Sequence, residues 1–135
     1  MPILLENRTG QLVVFRLSQP LVFSDWPQVR AEMARVIEPL EQCVFCVDWR
    51  ELSDTQDPEV LAEIEKLLSS DNAKLLRSGI LIEPSSFMLQ FSQIVIKAAH
   101  PNRRVVYTKD AMTQWLEPEL GPDEREAMRA FMDEV

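Results

Sequence analysis

The sequence predicts an α/β domain: a mixed β-sheet of about five strands flanked by four helices, followed by a C-terminal amphipathic helix. Apolar runs typical of strands alternate with segments of helical periodicity along most of the chain. The first two strands are separated only by the turn-rich segment Asn7 to Gly10, which predicts a hairpin. The 135 residues, 46% hydrophobic and 27% charged, have the length and composition of one globular domain.

The predicted strands share short apolar runs bounded by turn residues. They are Ile3–Glu6, Gln11–Leu17, Gln42–Trp49, a strand ending at Ser78–Ile82, and Arg103–Tyr107. The third is apolar almost throughout, as expected of a central strand that is covered on both faces. It contains Cys43 and Cys46, whose spacing matches redox and zinc motifs. Positions three apart on a strand point to opposite faces, so we expect two core cysteines instead.

Helix boundaries follow from capping residues and prolines. The first helix is predicted to begin at Ser24, with Pro27 in its first turn, and to end at Glu38–Pro39. The second begins at Asp57–Pro58, and its polar residues are expected to face water. These residues are Glu59, Glu63 and Lys66. Two shorter helices, Asp110 to Leu116 and Asp123 to Glu134, close the chain.

The third helix, from Ser85 or Ser86 to about His100, has an unusually wide apolar arc. Packing against one sheet requires a narrower stripe, so we expect part of the arc to be exposed. The residues expected at this surface are Phe87, Leu89, Phe91 and Ile96. Such a surface would serve either as the seam of a homodimer or as the contact for an apolar ligand.

The formal net charge of −8 limits the classes of partner. An acidic surface repels phosphate backbones and anionic headgroups, so we expect no nucleic-acid binding and no stable membrane association. Residues 117–135 contribute seven acids and two arginines, and are predicted to form an acidic helical extension of the 1–116 domain, packed on it or projecting from it. No signal-peptide pattern opens the chain and no apolar run reaches 20 residues, so a cytoplasmic location is expected.

The residues needed for common catalytic chemistry are not found together. His100 is the single histidine, and its place between a helix and a proline favours a structural role at the helix C-terminus. The three glycines form no phosphate loop, and no nucleophile elbow is present. Arg103–Arg104 is the one compact basic spot and is predicted to form salt bridges. We therefore expect no enzyme activity, no cofactor and no metal.

Three local patterns resemble the STAS domain, in particular its stand-alone bacterial SpoIIAA-like branch. They are Val13–Leu17 followed by Phe23–Trp26 at a helix start, the apolar strand Val44–Val47 ending in Asp48, and Arg103–Thr108 followed by Ala111 and Trp115–Leu116. Together they cover about residues 1 to 116. The resemblance implies a non-catalytic module that binds another protein in bacterial signalling or regulation.

The resemblance also indicates where a partner would bind. At that position this chain differs from the family's sequence motif. In phosphorylatable members an Asp-Ser-Ser-Gly segment opens the helix after the central strand, and its serine accepts phosphate. Here that position reads Gln56-Asp57-Pro58-Glu59, which lacks the hydroxyl, while Ser53 and Thr55 lie outside the register. We therefore expect partner binding without phosphate control. The residues expected at this site are Asp54, Thr55, Gln56, Asp57, Pro58 and Glu59.

The apolar faces of the helices suggest two alternatives to this function. The wide apolar arc of the third helix would suit a carrier of a small apolar ligand or lipid, if the sheet opened a pocket against the helix. The same arc, or the terminal helix, would also suit a homodimer seam without a ligand.

Overall fold

The computed structural model describes residues 3–18, 23–52, 56–70, 72–97 and 100–134. Within these ranges it has five strands and five α-helices, so the predicted α/β class is confirmed. The strands are β1 (Ile3–Thr9), β2 (Leu12–Leu17), β3 (Cys43–Asp48), β4 (Leu75–Leu81) and β5 (Arg103–Val106). The helices are α1 (Trp26–Ile37), α2 (Pro58–Ser70), α3 (Ser86–Lys97), α4 (Lys109–Leu116) and α5 (Pro122–Asp133).

The five strands form one sheet in sequence order. β1 is antiparallel to β2, whereas β2, β3, β4 and β5 are parallel. Each parallel connection passes through a helix, and right-handed crossovers that advance in one direction place α1, α2 and α3 on the same face. The loops that follow β2, β3, β4 and β5 therefore lie together at the carboxyl edge of the sheet.

The predicted hairpin is present, but its turn is tighter than the sequence suggested. β1 extends to Thr9 and β2 begins at Leu12, which leaves only Gly10 and Gln11 between them. Gly10 adopts a φ of 55°, a conformation that glycine reaches without steric cost. The Asn7 amide donates to the carbonyls of Gly10 and Leu12, each at 2.9 Å, and so stabilises the turn.

Alternate residues of the strands enter two separate apolar layers. Val13, Phe15 and Phe45 pack against α1, α2 and α3, while Val14 and Val44 pack against α4 and α5. Cys43 and Cys46 also lie in opposite layers and neither forms a disulfide, as their strand spacing predicted.

Residues 117–134 are packed on the sheet rather than projecting from it. The apolar face of α5, made of Met128, Phe131 and Met132, is buried against the second face of the sheet. The Glu124 carboxylate accepts from the backbone N–H of Gln11 at 2.8 Å and of Gly121 at 2.8 Å, which ties the start of α5 to the hairpin turn. The acidic segment therefore forms, together with α4, the layer on the second face of the sheet.

Two details of the predicted helices are wrong. A 3-10 turn over Phe23–Asp25 precedes α1, so Ser24 lies inside a turn and Asp25 takes the N-cap position, although Pro27 does lie in the first helical turn. Glu63 is buried instead of facing water, because its carboxylate pairs with Arg30 of α1 at 2.5 Å. This ion pair joins α1 and α2 across the first layer.

Arg104, predicted to form a salt bridge, stacks its guanidinium over the Trp115 ring at 4.1 Å from the centroid. Arg77 approaches the same ring at 4.2 Å. Arg103 donates to the Leu68 carbonyl. The basic pair therefore packs against protein groups at the β5 edge.

Candidate functional site

The predicted partner-binding segment lies at the carboxyl edge of the sheet, between β3 and α2. Asp54 and Thr55 fall outside the described residues. Asp57, Pro58 and Glu59 are exposed, and Pro58 begins α2 as predicted. Gln56 is buried, with 6% of its surface exposed. The exposed part of the predicted site is therefore the first turn of α2 and the residue before it.

Gln56 is fixed to α3 by a reciprocal pair of hydrogen bonds. Its backbone N–H donates to the Gln90 side-chain oxygen at 2.9 Å, and the Gln90 amide nitrogen donates to the Gln56 carbonyl at 3.1 Å. Buried backbone groups require such partners, and in this loop a side chain from α3 supplies them. Gln56, from the predicted partner-binding site, and α3, which carries the predicted apolar surface, are therefore neighbours.

A groove of about 450 Å³ runs between these two helices. It is lined on α2 by Pro58, Leu61, Ala62 and Glu65, and on α3 by Leu89, Gln90, Gln93 and Ile94. Leu89 is 70% exposed, more than Tyr107 at 54% or Phe23 at 46%. We call this the α2–α3 groove. It brings Pro58 of the predicted partner site beside Leu89 of the predicted apolar surface.

The other aromatic residues assigned to that apolar surface are not on it. Phe87 is fully buried and Phe91 is 1% exposed. The two rings stack with their centroids 5.4 Å apart, and Phe91 meets Trp49 edge-on at 5.5 Å. They complete the core between α3 and the sheet, so the predicted dimer or ligand surface is corrected at these positions. The side chain of Ile96 lies outside the described residues.

A second candidate site, lined mainly by charged residues, lies where β2 and β3 end, in a cleft of about 330 Å³. Asp48, 5% exposed, accepts from Arg50 Nε at 2.9 Å and Nη2 at 2.8 Å, and from Arg16 Nε at 3.1 Å. The cleft is also lined by Glu51, Glu83 and Lys109. In open α/β sheets this carboxyl edge is the usual place for a ligand.

The two arginines of this cleft also bind the end of α5. Arg16 Nη2 donates to the Phe131 carbonyl at 2.8 Å, and Arg50 Nη2 donates to the Met132 carbonyl at 3.0 Å. The last carbonyls of a helix lack partners within the helix and carry partial negative charge, so cations are favourable there. Asp48 therefore orients two arginines that cap α5.

The chemistry of this cleft favours a structural role. Burial alone would raise the pKa of Asp48, but the hydrogen bonds from Arg50 and Arg16 outweigh it and hold the pKa below its ordinary value. General acid–base catalysis near neutral pH needs a group that titrates there, whereas the lowered pKa keeps Asp48 ionised at that pH. Among the described residues, no cluster of three or more His, Cys, Asp or Glu side chains could hold a metal ion.

The buried thiols are equally unsuited to nucleophilic chemistry. Burial, with a further contribution from the Asp48 charge, raises the pKa of Cys46 to about 12. Because the thiolate is the reactive form, we expect Cys43 and Cys46 to resist Ellman's reagent at pH 8 in the folded protein. Both thiols should react in denaturant. Rapid labelling of either one under native conditions would contradict their placement in the two layers.

An apolar cavity between the sheet and the helices of the first layer has a volume of about 40 Å³. Phe15, Phe45 and Trp49 contribute to its wall. A single water needs roughly 10–15 Å³ of such space, and a cavity that holds benzene has about 150 Å³. A fatty acyl chain would therefore require the helices to move away from the sheet.

Sequence reasoning missed the Arg16–Asp48–Arg50 cluster and the role of Gln90. The available signals were charged residues at the ends of two apolar strands, Arg16 beside Leu17 and Asp48–Arg50 after Val47. Gln90 lies on the third helix, and nothing in the helical pattern indicates a contact with the loop before α2. Its partner, Gln56, lies 34 residues away in the chain, so their contact required the topology.

Comparisons with protein-family models, with curated proteins and with solved structures find no match to this chain. In the part of the chain that the structure describes, none of the helices combines the length and apolar character needed to cross a bilayer.

Proposed function

We propose that this chain is a non-catalytic protein-interaction module of the STAS type that acts in bacterial signalling or regulation. Its partner would bind at the α2–α3 groove and the exposed start of α2. One observation carries the proposal: hydrogen bonds to Gln90 fix Gln56, the residue before Asp57, to α3, so the acidic start of α2 lies beside the groove that Leu89 lines.

The departure from the phosphoacceptor motif supports binding that is independent of phosphate. Asp57 is an exposed carboxylate next to Pro58 at the start of α2, where the resembling motif has a serine. A carboxylate at this position supplies negative charge permanently, and it is favourable near a helix N-terminus. We propose that the partner recognises this constant charge together with Leu89.

Paired surface variants test the proposal. Leu89→Asp, and the double change Asp57→Lys with Glu59→Lys, should each reduce recovery of a crosslinked partner from the native cell by about tenfold or more, because a charge is placed in or reversed at the contact. Circular dichroism and thermal unfolding should remain close to wild type, since all three side chains are exposed.

Two matched variants serve as controls. Tyr107→Asp places the same charge on another exposed apolar residue, and Glu126→Lys reverses an exposed acid on α5. Both should retain the partner. A set of crosslinked proteins that is the same for the groove variants and for wild type would show that this surface is not the binding site.

A further inference from the structure

We propose that the partner element bound by the α2–α3 groove is a short amphipathic helix with a basic flank. This inference rests on the proposed function and specifies its partner. Apolar residues on one face of that helix would contact Leu89, Leu61 and Ile94, and lysine or arginine residues would face Glu65 and the acidic start of α2.

The walls of the groove favour a helix over an extended peptide. A strand-like partner gains affinity by pairing its backbone with unpaired N–H and C=O groups of its receptor. Both walls of this groove are α-helices, whose interior backbone groups bond within the helix. The backbone N–H and carbonyl of Gln56, at the end of the groove, are already paired with the Gln90 side chain. A helix pairs its interior backbone groups within itself, so it does not depend on unpaired backbone groups of the receptor.

The dimensions of the groove limit the length of this helix. The α2 wall extends from Pro58 to Glu65 and the α3 wall from Leu89 to Ile94. At 1.5 Å per residue these spans correspond to roughly 10 Å and 8 Å. About two turns of a bound helix would cover them, with apolar residues at positions i, i+4 and i+7.

The charges around the groove favour a basic partner. Glu65 is the one charged residue among those that line it, and the exposed acids Asp57 and Glu59 flank Pro58 at its end. The nearby cation Lys66 is directed to Glu63 at 3.6 Å. A basic flank would therefore meet three carboxylates without an opposing charge among the groove-lining residues.

The same charges oppose occupation by a second copy of this chain. A twofold-symmetric dimer buries the same surface of both copies in one interface, so Glu65, Asp57 and Glu59 of both copies would lie in it together. Each copy also carries a net charge of −8. Burying Leu89 in such a dimer would require like charges to approach, whereas a basic helix would bring opposite charges together.

A peptide-display selection tests the inference with the full chain as bait. A library of random 16-residue peptides is selected against the wild-type protein, and enriched sequences are synthesised with a fluorescent label. We expect enrichment of peptides with apolar residues at helical spacing and two or more flanking lysines or arginines. Anisotropy titrations should show about tenfold weaker binding to Leu89→Asp and at least about threefold weaker binding to Glu65→Lys. Binding to Glu126→Lys should match wild type.

Other outcomes separate this inference from the proposed function. Neutral or acidic peptides that still require Leu89 would overturn the basic partner while the groove remained the binding site. Peptides that bind Leu89→Asp as well as wild type would overturn the groove itself. Dimerisation of the wild type that Leu89→Asp abolishes would identify a second copy as the occupant. A selection that enriches nothing would reject the helical partner, and the capture experiment in cells would still decide the proposed function.

Discussion

Replacing Phe131 with alanine should lower the free energy of unfolding by about 3–5 kcal/mol. Phe131 is fully buried in the layer between α5 and the sheet. Its removal leaves a cavity, and it also removes the ring that the Arg16 guanidinium covers at 4.3 Å from the centroid. Urea denaturation measures the effect, which should appear as a lower midpoint with an unchanged slope.

The control for this variant is Glu126→Ala on the same helix. Glu126 is exposed, so its replacement should change the free energy of unfolding by no more than about 0.5 kcal/mol. A loss below about 1 kcal/mol for Phe131→Ala would mean that α5 contributes little to the folded domain. A decrease of about 3–5 kcal/mol in the free energy of unfolding would show that residues 117–134 are required for the second layer, despite their acidic composition.

The element order could be predicted because each element has its own local pattern. The largely apolar run Gln42–Trp49 predicted a strand covered on both faces, and all six residues of the observed strand, Cys43–Asp48, are buried. The same reasoning placed the two cysteines in different layers. Strand alternation depends only on the chain's own geometry, so these predictions did not require knowledge of the neighbours.

Burial on the helices was harder to predict, because it depends on which helix lies alongside. The helical pattern places Glu63 on the flank of α2 that is expected to face water, and its burial follows from its contact with Arg30 of the neighbouring α1. On α3, Phe87, Leu89 and Phe91 are equally apolar in the sequence. The sheet and Trp49 bury the two phenylalanines, while Leu89 points out beside α2.

The candidate sites combine residues that are distant in the chain. Pro58 and Leu89 were each predicted at a surface, but nothing in the sequence indicated that they share one. The capping of α5 by Arg16 joins residues 115 positions apart. Such contacts are set by the sheet order and by the placement of α4 and α5 on the second face, and periodicity alone predicts neither.

Asp48→Asn should lower the free energy of unfolding by about 3 kcal/mol at pH 7, because it leaves two guanidiniums without their shared anion. Asp48 is almost fully buried, whereas the side chains of Arg16 and Arg50 are 14% and 24% exposed. Water reaches the arginines in part, which places the expected loss at the lower end of the range for buried pairs. Urea titrations of both proteins measure it.

The pH dependence distinguishes lost charge from lost packing. The pKa of Asp48 is lowered in the folded protein, so its contribution to stability is complete above the ordinary carboxyl value of about 3.9 and is lost as the pH falls through the folded pKa. The difference in the free energy of unfolding between wild type and Asp48→Asn should therefore be constant from about pH 7 to pH 5. Below about pH 4 it should narrow.

A matched control in the same cleft is Asp133→Asn. Asp133 pairs with Lys109 at 3.0 Å but its side chain is 72% exposed, so its replacement should cost about 0.5 kcal/mol or less. The free energy of unfolding of wild type and of Asp48→Asn could differ by as much at pH 3 as at pH 7. That result would assign the effect to side-chain shape. A difference that narrows in acid would show that the Asp48 charge holds Arg16 and Arg50 against the end of α5.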